Sequence, residues 1–405
     1  MNHTGLKNPQ AGSPVEVLWA FLRLGLTSFG GPIAHLGYLR RELVLRRRWL
    51  SEHAFADLIA LCQFLPGPLS SQVAFAIGLG RAGCPGAVAA WCGFTLPSAL
   101  LMTAFAYTAD ALSVARGGGA LHGLQLVAVA IVAQAVIGMT RTLCPDFVRI
   151  LIALLTFGLS LAVRSAWSQL AVIAVGTLLG ALLCRGAAGA SAAPASLPVP
   201  VTRASGIAAL TLFAALLLGL PMLRHLFPAQ ALALFAACYH SGALVFGGGH
   251  VVLPLLRAGF VPAGWVSDAQ FLSGYGAAQA LPGPMFTFAA YLGAIERSAP
   301  HGVRGAALAL FGIFLPGILI LVGVLPFWAA LRRRLELRAA ILGANAAVVG
   351  LLAAALYDPV WVSAVHSPAD SGLALAALLL LSLAHMPPWA VVLLWALGGA
   401  AASAL

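Results

Sequence analysis

The sequence predicts an all-α polytopic membrane protein built from two homologous halves, arranged as inverted repeats, whose helices are interrupted by Pro-Gly-Pro breaks. Three observations carry this. Of 405 residues, 61% are hydrophobic and 8% are charged, and apolar runs of ~17 or more residues, each long enough for a hydrocarbon core, follow one another from Val15 onward. Gln63-Phe64-Leu65-Pro66-Gly67-Pro68 returns as Gln279-Ala280-Leu281-Pro282-Gly283-Pro284. Around that pair, glycines, prolines and aromatics match in order, which marks an internal duplication.

The elements follow in chain order. Residues 1–14 form a polar N-terminal tail, and because no small-residue cleavage site follows the first apolar run, that run reads as a retained helix rather than a signal peptide. That first span runs from Val15 to Tyr38 and contains Phe29-Gly30-Gly31-Pro32. The basic cluster Arg40, Arg41, Arg46, Arg47 and Arg48, opposed by Glu42, marks a cytoplasmic loop. Ser51 is placed to cap the next helix, with Glu52 in its first turn. That helix ends at the first Pro-Gly-Pro, where two prolines and a glycine remove donors and forbid regular winding. A short helix over 69–80 and a longer one over 86–107, kinked at Pro97, come next, then spans near 124–143, 147–163 and 167–184. The first repeat occupies 15–184. Residues 185–205, rich in Ala, Ser, Pro and Gly, read as a surface linker, and 206–405 as the second repeat.

Gly25/Gly242, Phe29/Phe246, Gly30/Gly247, Gly31/Gly248, Leu36/Leu253 and Arg40/Arg257 match at one spacing. One residue is then lost, and Trp49/Trp265, Ser51/Ser267, Phe55/Phe271 and Gln63/Gln279 match; three are gained, and Gly86/Gly305, Gly93/Gly312 and Pro97/Pro316 match. Duplicated halves with broken helices are the mark of a transporter whose site lies between the repeats. Relative orientation turns on span parity. If residues 53–81 cross once the halves are antiparallel; if they form a re-entrant hairpin, the same count makes them parallel. The lone Arg257 after the second repeat's first span favours opposite faces. Arg332, Arg333, Arg334 and Arg338 fit badly, since counting places them opposite the first basic cluster.

The net charge of +11 comes largely from Arg, with no basic stripe interleaved with aromatics, so loop orientation explains it and nucleic acid does not. Cys62, Cys84, Cys92, Cys144, Cys184 and Cys238 form no CxxC pair and have no His at metal spacing. They read as small apolar residues. No metal, flavin or haem motif is present; a membrane enzyme such as a reductase and a structural scaffold are the disfavoured classes, and no cofactor is expected.

The Phe29-Gly30-Gly31-Pro32 break, the basic loop with Trp49, the Leu65-Pro66-Gly67-Pro68 break, and Phe246-Gly247-Gly248-Gly249-His250-Val251-Val252-Leu253-Pro254-Leu255 with the second Pro-Gly-Pro closely resemble the chromate ion transporter family in its long two-domain form. The resemblance covers nearly the whole chain and is strongest over 21–97 and 238–316. It implies a bacterial inner-membrane exporter of chromate that confers chromate resistance, with sulfate as a related tetrahedral dianion. Composition and periodicity alone give a duplicated transporter-like protein, for which sulfate or another small inorganic anion is the alternative cargo and a gated channel the alternative mechanism. The expected partners are the anion and the bilayer, and a homodimer is compatible with the sequence.

An oxyanion suits the residues. The helix after Pro68 offers backbone N–H groups and the hydroxyls of Ser70 and Ser71; the second copy offers Thr287 after Pro284. Gly30, Gly31, Gly247 and Gly248 let backbone approach a ligand closely, though the same glycines and prolines also serve simple kinking and packing. Arg23 and His240, at matched positions inside apolar helices, are candidates for neutralising the dianion; snorkelling and a neutral bonded imidazole are the plain alternatives. Gln63 and Gln279 either donate to the ligand or satisfy freed carbonyls. Together with Pro66, Gly67, Pro68, Pro282, Gly283 and Pro284, these residues form the expected site. Glu52 and Asp268 read as helix-start residues, and Asp57, whose counterpart is Ser273, is the proton-relay candidate.

Overall fold

A computed structural model describes residues 12–115, 119–163, 168–187, 201–246 and 248–403, which are helical with no strand among them. The tail before residue 12, most of the predicted linker and Gly247 lie outside the described residues.

The first half begins with α1 (Pro14–Thr27) and α2 (Gly31–Leu39, continued by a wider turn to Arg46), then α3 (Glu52–Phe64) and α4 (Leu69–Ala115). The predicted single span from Val15 to Tyr38 is instead a hairpin. Its first limb is 14 residues long, about 21 Å at the α-helical rise and short of a ~30 Å hydrocarbon core. The chain turns at Ser28–Gly30, where Gly30 and Gly31 adopt φ of +96° and +80°. It then returns to the face it left, because Arg47 at the end of the return meets Glu16 at the start of α1 (3.9 Å).

The next segment behaves the same way. From Ser51, whose side chain caps Ala54 N–H, α3 runs inward to Leu65, and residues 69–81 run back out. Arg81 pairs with Glu16 (3.2 Å), and the guanidinium groups of Arg47 and Arg81 lie over the Trp49 ring at 5.4 and 5.1 Å. Residues 53–81 are therefore re-entrant. At Ala82 and Gly83 the backbone leaves helical geometry, separating this return limb from the limb over 84–115, which continues through Pro97 without a further break in helical backbone angles.

That second limb of α4 crosses to the opposite face. Beyond it lie α5 (Gly119–Leu143), α6 (Phe147–Ala162), α7 (Ser168–Leu183) and α8 (Arg203–Leu226). The second half repeats the plan: α9 (Gln230–Ala243), a turn, α10 (Val252–Phe260), α11 (Asp268–Ala278), the second Pro-Gly-Pro and α12 (Phe288–Ile295). It closes with α13 (Gly302–Val324), α14 (Trp328–Leu331), α15 (Leu335–Ala355), α16 (Val362–Ala364), α17 (Pro368–Ser382) and α18 (Pro388–Ala402). Segments 69–108, 119–143, 203–226, 302–331 and 335–364 are long and apolar enough to span a membrane.

The halves are inverted. Gly302, at the start of α13, lies against the Tyr107 hydroxyl near the far end of α4, whereas beyond the other end of α13 the chain reaches α3: Arg332, which closes α14, bonds Asp57 at 2.8 Å. So α4 and α13 cross the membrane in opposite directions. The repeats are antiparallel, as the sequence predicts, but with a different set of spans. Two stretches, not one, turn back on themselves, and the parity survives. The second basic cluster is corrected by the same fact: Arg332 beside Asp57 places it on the same face as Arg40–Arg48, so the conflict over loop charge disappears.

Each half's buried core borrows from the other's long helix. Phe21, Phe55, Leu61 and Phe94 pack with Leu321, Val324 and Trp328, while Phe271, Tyr275 and Phe288 pack with Ala99, Met102 and Ala106. Glycines permit the closest approaches. A Cβ on Gly25 would lie 2.5 Å from the Gly93 carbonyl, and on the matched Gly242, 2.2 Å from that of Ile313.

Candidate functional site

The four hairpin turns meet at the middle of the molecule in a reciprocal pair of backbone bonds. Gly67 N–H donates to Val245 C=O (2.7 Å), and Gly283 N–H donates to Ser28 C=O (2.8 Å). Each Pro-Gly-Pro break is thus tied to the first turn of the opposite repeat. Both glycines have positive φ, +123° at Gly67 and +98° at Gly283. Space is tight: a Cβ on Gly67 would sit 2.9 Å from Gly317 Cα, and one on Gly283, 2.7 Å from Ser98 Oγ.

Helices start at all four turns: α2 at Gly31, α4 at Leu69, a 3-10 turn at Gly249 leading into α10, and another at Met285 leading into α12. First-turn N–H groups have no acceptor within their own helix and carry the positive end of the helix dipole. Three of the carbonyls at the breaks have partners of their own. Ser28 C=O also accepts from His35 Nε2 (3.1 Å). Gln72 Nε2 donates to Pro66 and Gly317 carbonyls, both at 2.9 Å. Thr287 donates to Pro284 C=O at 2.8 Å.

Buried polar side chains gather on one side. Ser28, His35, Ser70, Ser71, Gln72, Thr95 and Ser98 are all nearly inaccessible. With Nε2–H given to Ser28, the neutral His35 ring accepts the Ser70 hydroxyl at Nδ1 (3.3 Å). The hydroxyls of Ser28, Ser71 and Thr95 and the Oε1 of Gln72 have no protein partner. Leaving such atoms buried and unpaired costs about 1–3 kcal/mol each, which a bound anion accepting from the hydroxyls would offset. None of these side chains is a carboxylate.

The predicted site residues divide. Gly30, Gly31, Pro66, Gly67, Pro68, Ser70, Ser71, Gly248, Pro282, Gly283, Pro284 and Thr287 all lie at the four turns or in the first helical turn after them. Gln63 is exposed on α3, and Gln279 donates to Met285 Sδ (3.3 Å); Gln72 and Thr287, not these glutamines, bond the Pro66 and Pro284 carbonyls. Arg23 is exposed on α1 between Trp19 and Leu26, with no side-chain partner among the described residues. His240 sits with its nitrogens against the carbonyls of Ala236 (2.7 Å) and Leu217 (3.0 Å). Asp57 is paired with Arg332, and Trp328 Nε1 lies at 3.4 Å. Glu52 and Asp268 follow their capping serines and bond Arg40 and Arg257, both at 2.7 Å; Arg40 holds the Glu52 carboxyl below its ordinary range. His35, Gln72, Thr95 and Ser98 were missed in the sequence reading. Their signal was available, as polar residues inside apolar helices where the second repeat has Val252, Phe288, Phe314 and Gly317.

The family profile for chromate transporters matches residues 15–181 and 232–401. The chain belongs to the chromate transporter family. It is 31% identical to a chromate transport protein of Pseudomonas aeruginosa over 89% of this chain and 84% of that protein. It is 29% identical to a chromate transport protein of Cupriavidus metallidurans over 91% and 87%, and 26% identical to an uncharacterized transporter of Methanocaldococcus jannaschii over 86% and 84%. No solved structure matches the chain. The family is one of membrane transporters rather than enzymes, and this member is a multi-pass protein of the inner membrane with one family match in each half.

Proposed function

We propose that this chromate transporter family member moves chromate, as its tetrahedral dianion, out of the cytoplasm through the junction of the two repeats, and so confers chromate resistance. The observation that carries the reading is the reciprocal Gly67–Val245 and Gly283–Ser28 bonding. It brings helix N-termini from both repeats to one place beside buried, unpartnered hydroxyls. The relatives named for chromate transport supply the identity of the anion. The two transport units are residues 15–184 and 206–405, joined by the linker over 185–205.

Orientation follows from charge. The face holding Arg40–Arg48 also holds Arg81, Arg185, Arg203 and Arg332–Arg338, whereas the other carries Arg224, Arg257, Arg297 and Arg304 among the described residues. The richer face is cytoplasmic. An inside-negative membrane then expels a dianion with ~4.6 kcal/mol per 100 mV, so export needs little coupling. Rocking of inverted halves about a shared central site is the mechanism such repeats support.

The test is uptake of labelled chromate into inverted vesicles energised by respiration, with sulfate as competitor. Accumulation above control vesicles, reduced by excess sulfate, is expected. Sulfate accumulation without chromate accumulation would move the cargo to sulfate, and no accumulation of either would overturn the reading.

A further inference from the structure

The matched helices α3 and α11 have the same place in their repeats and opposite surroundings. Every residue of α11 from Phe271 to Ala278 is buried. Across it lies α5, whose Gln125 Nε2 donates to Ala269 C=O (3.2 Å) and Ser273 Oγ (3.3 Å). A Cβ on Gly276 would lie 2.4 Å from the Leu124 carbonyl. Among the described residues nothing comparable covers α3. His53, Ala56, Ala60 and Gln63, which share one helical face, are exposed. By the repeat alignment α15 is the counterpart of α5, yet its Gly343 and Gly350 are packed against α7 and α6.

The exposed face of α3 does not look like a surface made for lipid. Elsewhere this chain shows large apolar side chains outward: Leu100 is 67% exposed on α4, Leu178 61% on α7 and Leu218 75% on α8. Between Leu45 and Val88 no large hydrophobic residue is exposed among the described ones. The stripe runs from the arginine-rich loop to Gln63, beside the break, a rise of about 15 Å.

We infer that this face of α3 is the wall of a water-filled vestibule leading from the basic face to the junction, and that the structure is the state open to that face. The inference rests on the junction being the anion site. Arginines at the mouth would concentrate a dianion, and small side chains along the wall leave it room. Packing of α5 on α11 is the closed gate of the opposite face, and the Asp57–Arg332 pair holds α3 toward the end of α13. In the alternate state the two halves exchange these arrangements.

The experiment uses the full-length protein carrying Cys84→Ser, because Cys84 is the exposed native cysteine. Ala56→Cys, Ala60→Cys, Ser273→Cys and Leu100→Cys are added singly and treated with a charged, membrane-impermeant thiol reagent in inverted and right-side-out vesicles. The reactive thiolate needs water. Ala56→Cys and Ala60→Cys should be modified in inverted vesicles at least about tenfold faster than Leu100→Cys, which faces hydrocarbon. Ser273→Cys should be protected from both sides. Modification of Ala56→Cys and Ala60→Cys by a lipophilic maleimide alone would make this face lipid-facing and overturn the inference. Protection from every reagent would mean that a second copy or another protein covers it, which overturns it too, as would labelling only in right-side-out vesicles. Chromate uptake is measured in parallel. Labelling without any anion transport sinks the proposed cargo and leaves the vestibule; transport without labelling does the reverse.

Discussion

The two repeats share a backbone plan and divide the chemistry unequally. In the first, the positions around the junction hold Ser28, His35, Ser70, Ser71, Gln72, Thr95 and Ser98; in the second, the matched positions hold Val245, Val252, Phe286, Thr287, Phe288, Phe314 and Gly317. The hydroxyl shared by both lists is that of Ser71 and Thr287, and Thr287 spends it on the Pro284 carbonyl. Duplication therefore built the scaffold: two pairs of broken hairpins, tied turn to turn. The matched positions now differ: polar side chains line the first repeat's side of the junction, and mostly apolar ones pack on the second's. An inverted dimer of identical halves would have two equivalent sites; this chain has one polar side and one apolar side of a shared junction.

The largest expected effect breaks the scaffold at its tightest point. Gly67→Ala places a Cβ against Gly317 backbone at 2.9 Å, at a φ of +123°, a conformation costing an L-residue about 1–3 kcal/mol before any clash. Chromate uptake into inverted vesicles should fall to background and thermal stability in detergent should drop. Gly283→Ala meets Ser98 Oγ, a side-chain atom able to turn aside, so it should retain measurable uptake. Equal loss in both variants would mean that backbone strain alone matters and that the neighbours are irrelevant.

The next effect separates lining from scaffold. Ser71→Ala and Thr95→Val remove hydroxyls that have no protein partner, so folding should not suffer. A hydrogen bond to a charged group contributes about 1.5–3 kcal/mol, and each substitution should raise the half-saturating chromate concentration roughly 10- to 100-fold. Thr287→Ala loses a bond within the protein and should cost about 1 kcal/mol of stability with a smaller change in affinity. If Thr287→Ala weakens affinity as much as Ser71→Ala, the chemistry is shared by both repeats and the asymmetry described above is only one of packing.

Much of the scaffold was legible because duplication repeats its costly residues: glycines and prolines inside apolar helices recur at ordered spacing. The hairpins were not. Val15 to Tyr38 is apolar and long enough to cross, and nothing local to Gly30-Gly31 states whether the chain continues or returns. The return is fixed by Glu16 meeting Arg47 and Arg81, contacts between residues far apart in sequence. The lining was half legible. Ser70 and Ser71 stand at a predicted helix start, but His35, Gln72, Thr95 and Ser98 lie inside helices that read as apolar, and only position-by-position comparison of the repeats singles them out. Arg332 was misplaced for the same reason as the hairpins, one span counted that does not cross.

A smaller effect tests whether the repeats differ in conformation as well as lining. Asp57→Asn weakens the bond to Arg332, in a pair whose side chains are 12% and 9% exposed. With α3 released from α13, the basic-face vestibule should be open less of the time, and modification of Ala60→Cys in inverted vesicles should slow several-fold. The exchange Asp57→Arg with Arg332→Asp should restore the rate, because the attraction depends on opposite charge and not on which helix carries which sign. Slowing in Asp57→Asn without recovery in the exchanged pair would assign the effect to local packing against Trp328.

The smallest effect concerns a charge that the sequence nominated for the site. Arg23 and His240 occupy equivalent positions, and a dianion buried between helices invites a basic partner. The structure sets them in different surroundings. His240 is held between two carbonyls, and Arg23 lies on the outward face of α1 with Trp19 65% and Leu26 53% exposed on either side, the setting of a side chain that snorkels to the headgroups. Arg23→Gln should therefore change the half-saturating chromate concentration by no more than about fivefold, the scale of an exposed charge. A loss as large as that of Ser71→Ala would return Arg23 to the anion and make α1 a second wall of the vestibule. A small effect leaves helix N-termini and hydroxyls to hold the charge, which suits a carrier that must release its cargo: a full guanidinium pair with a dianion, buried away from water, would hold the anion at the junction.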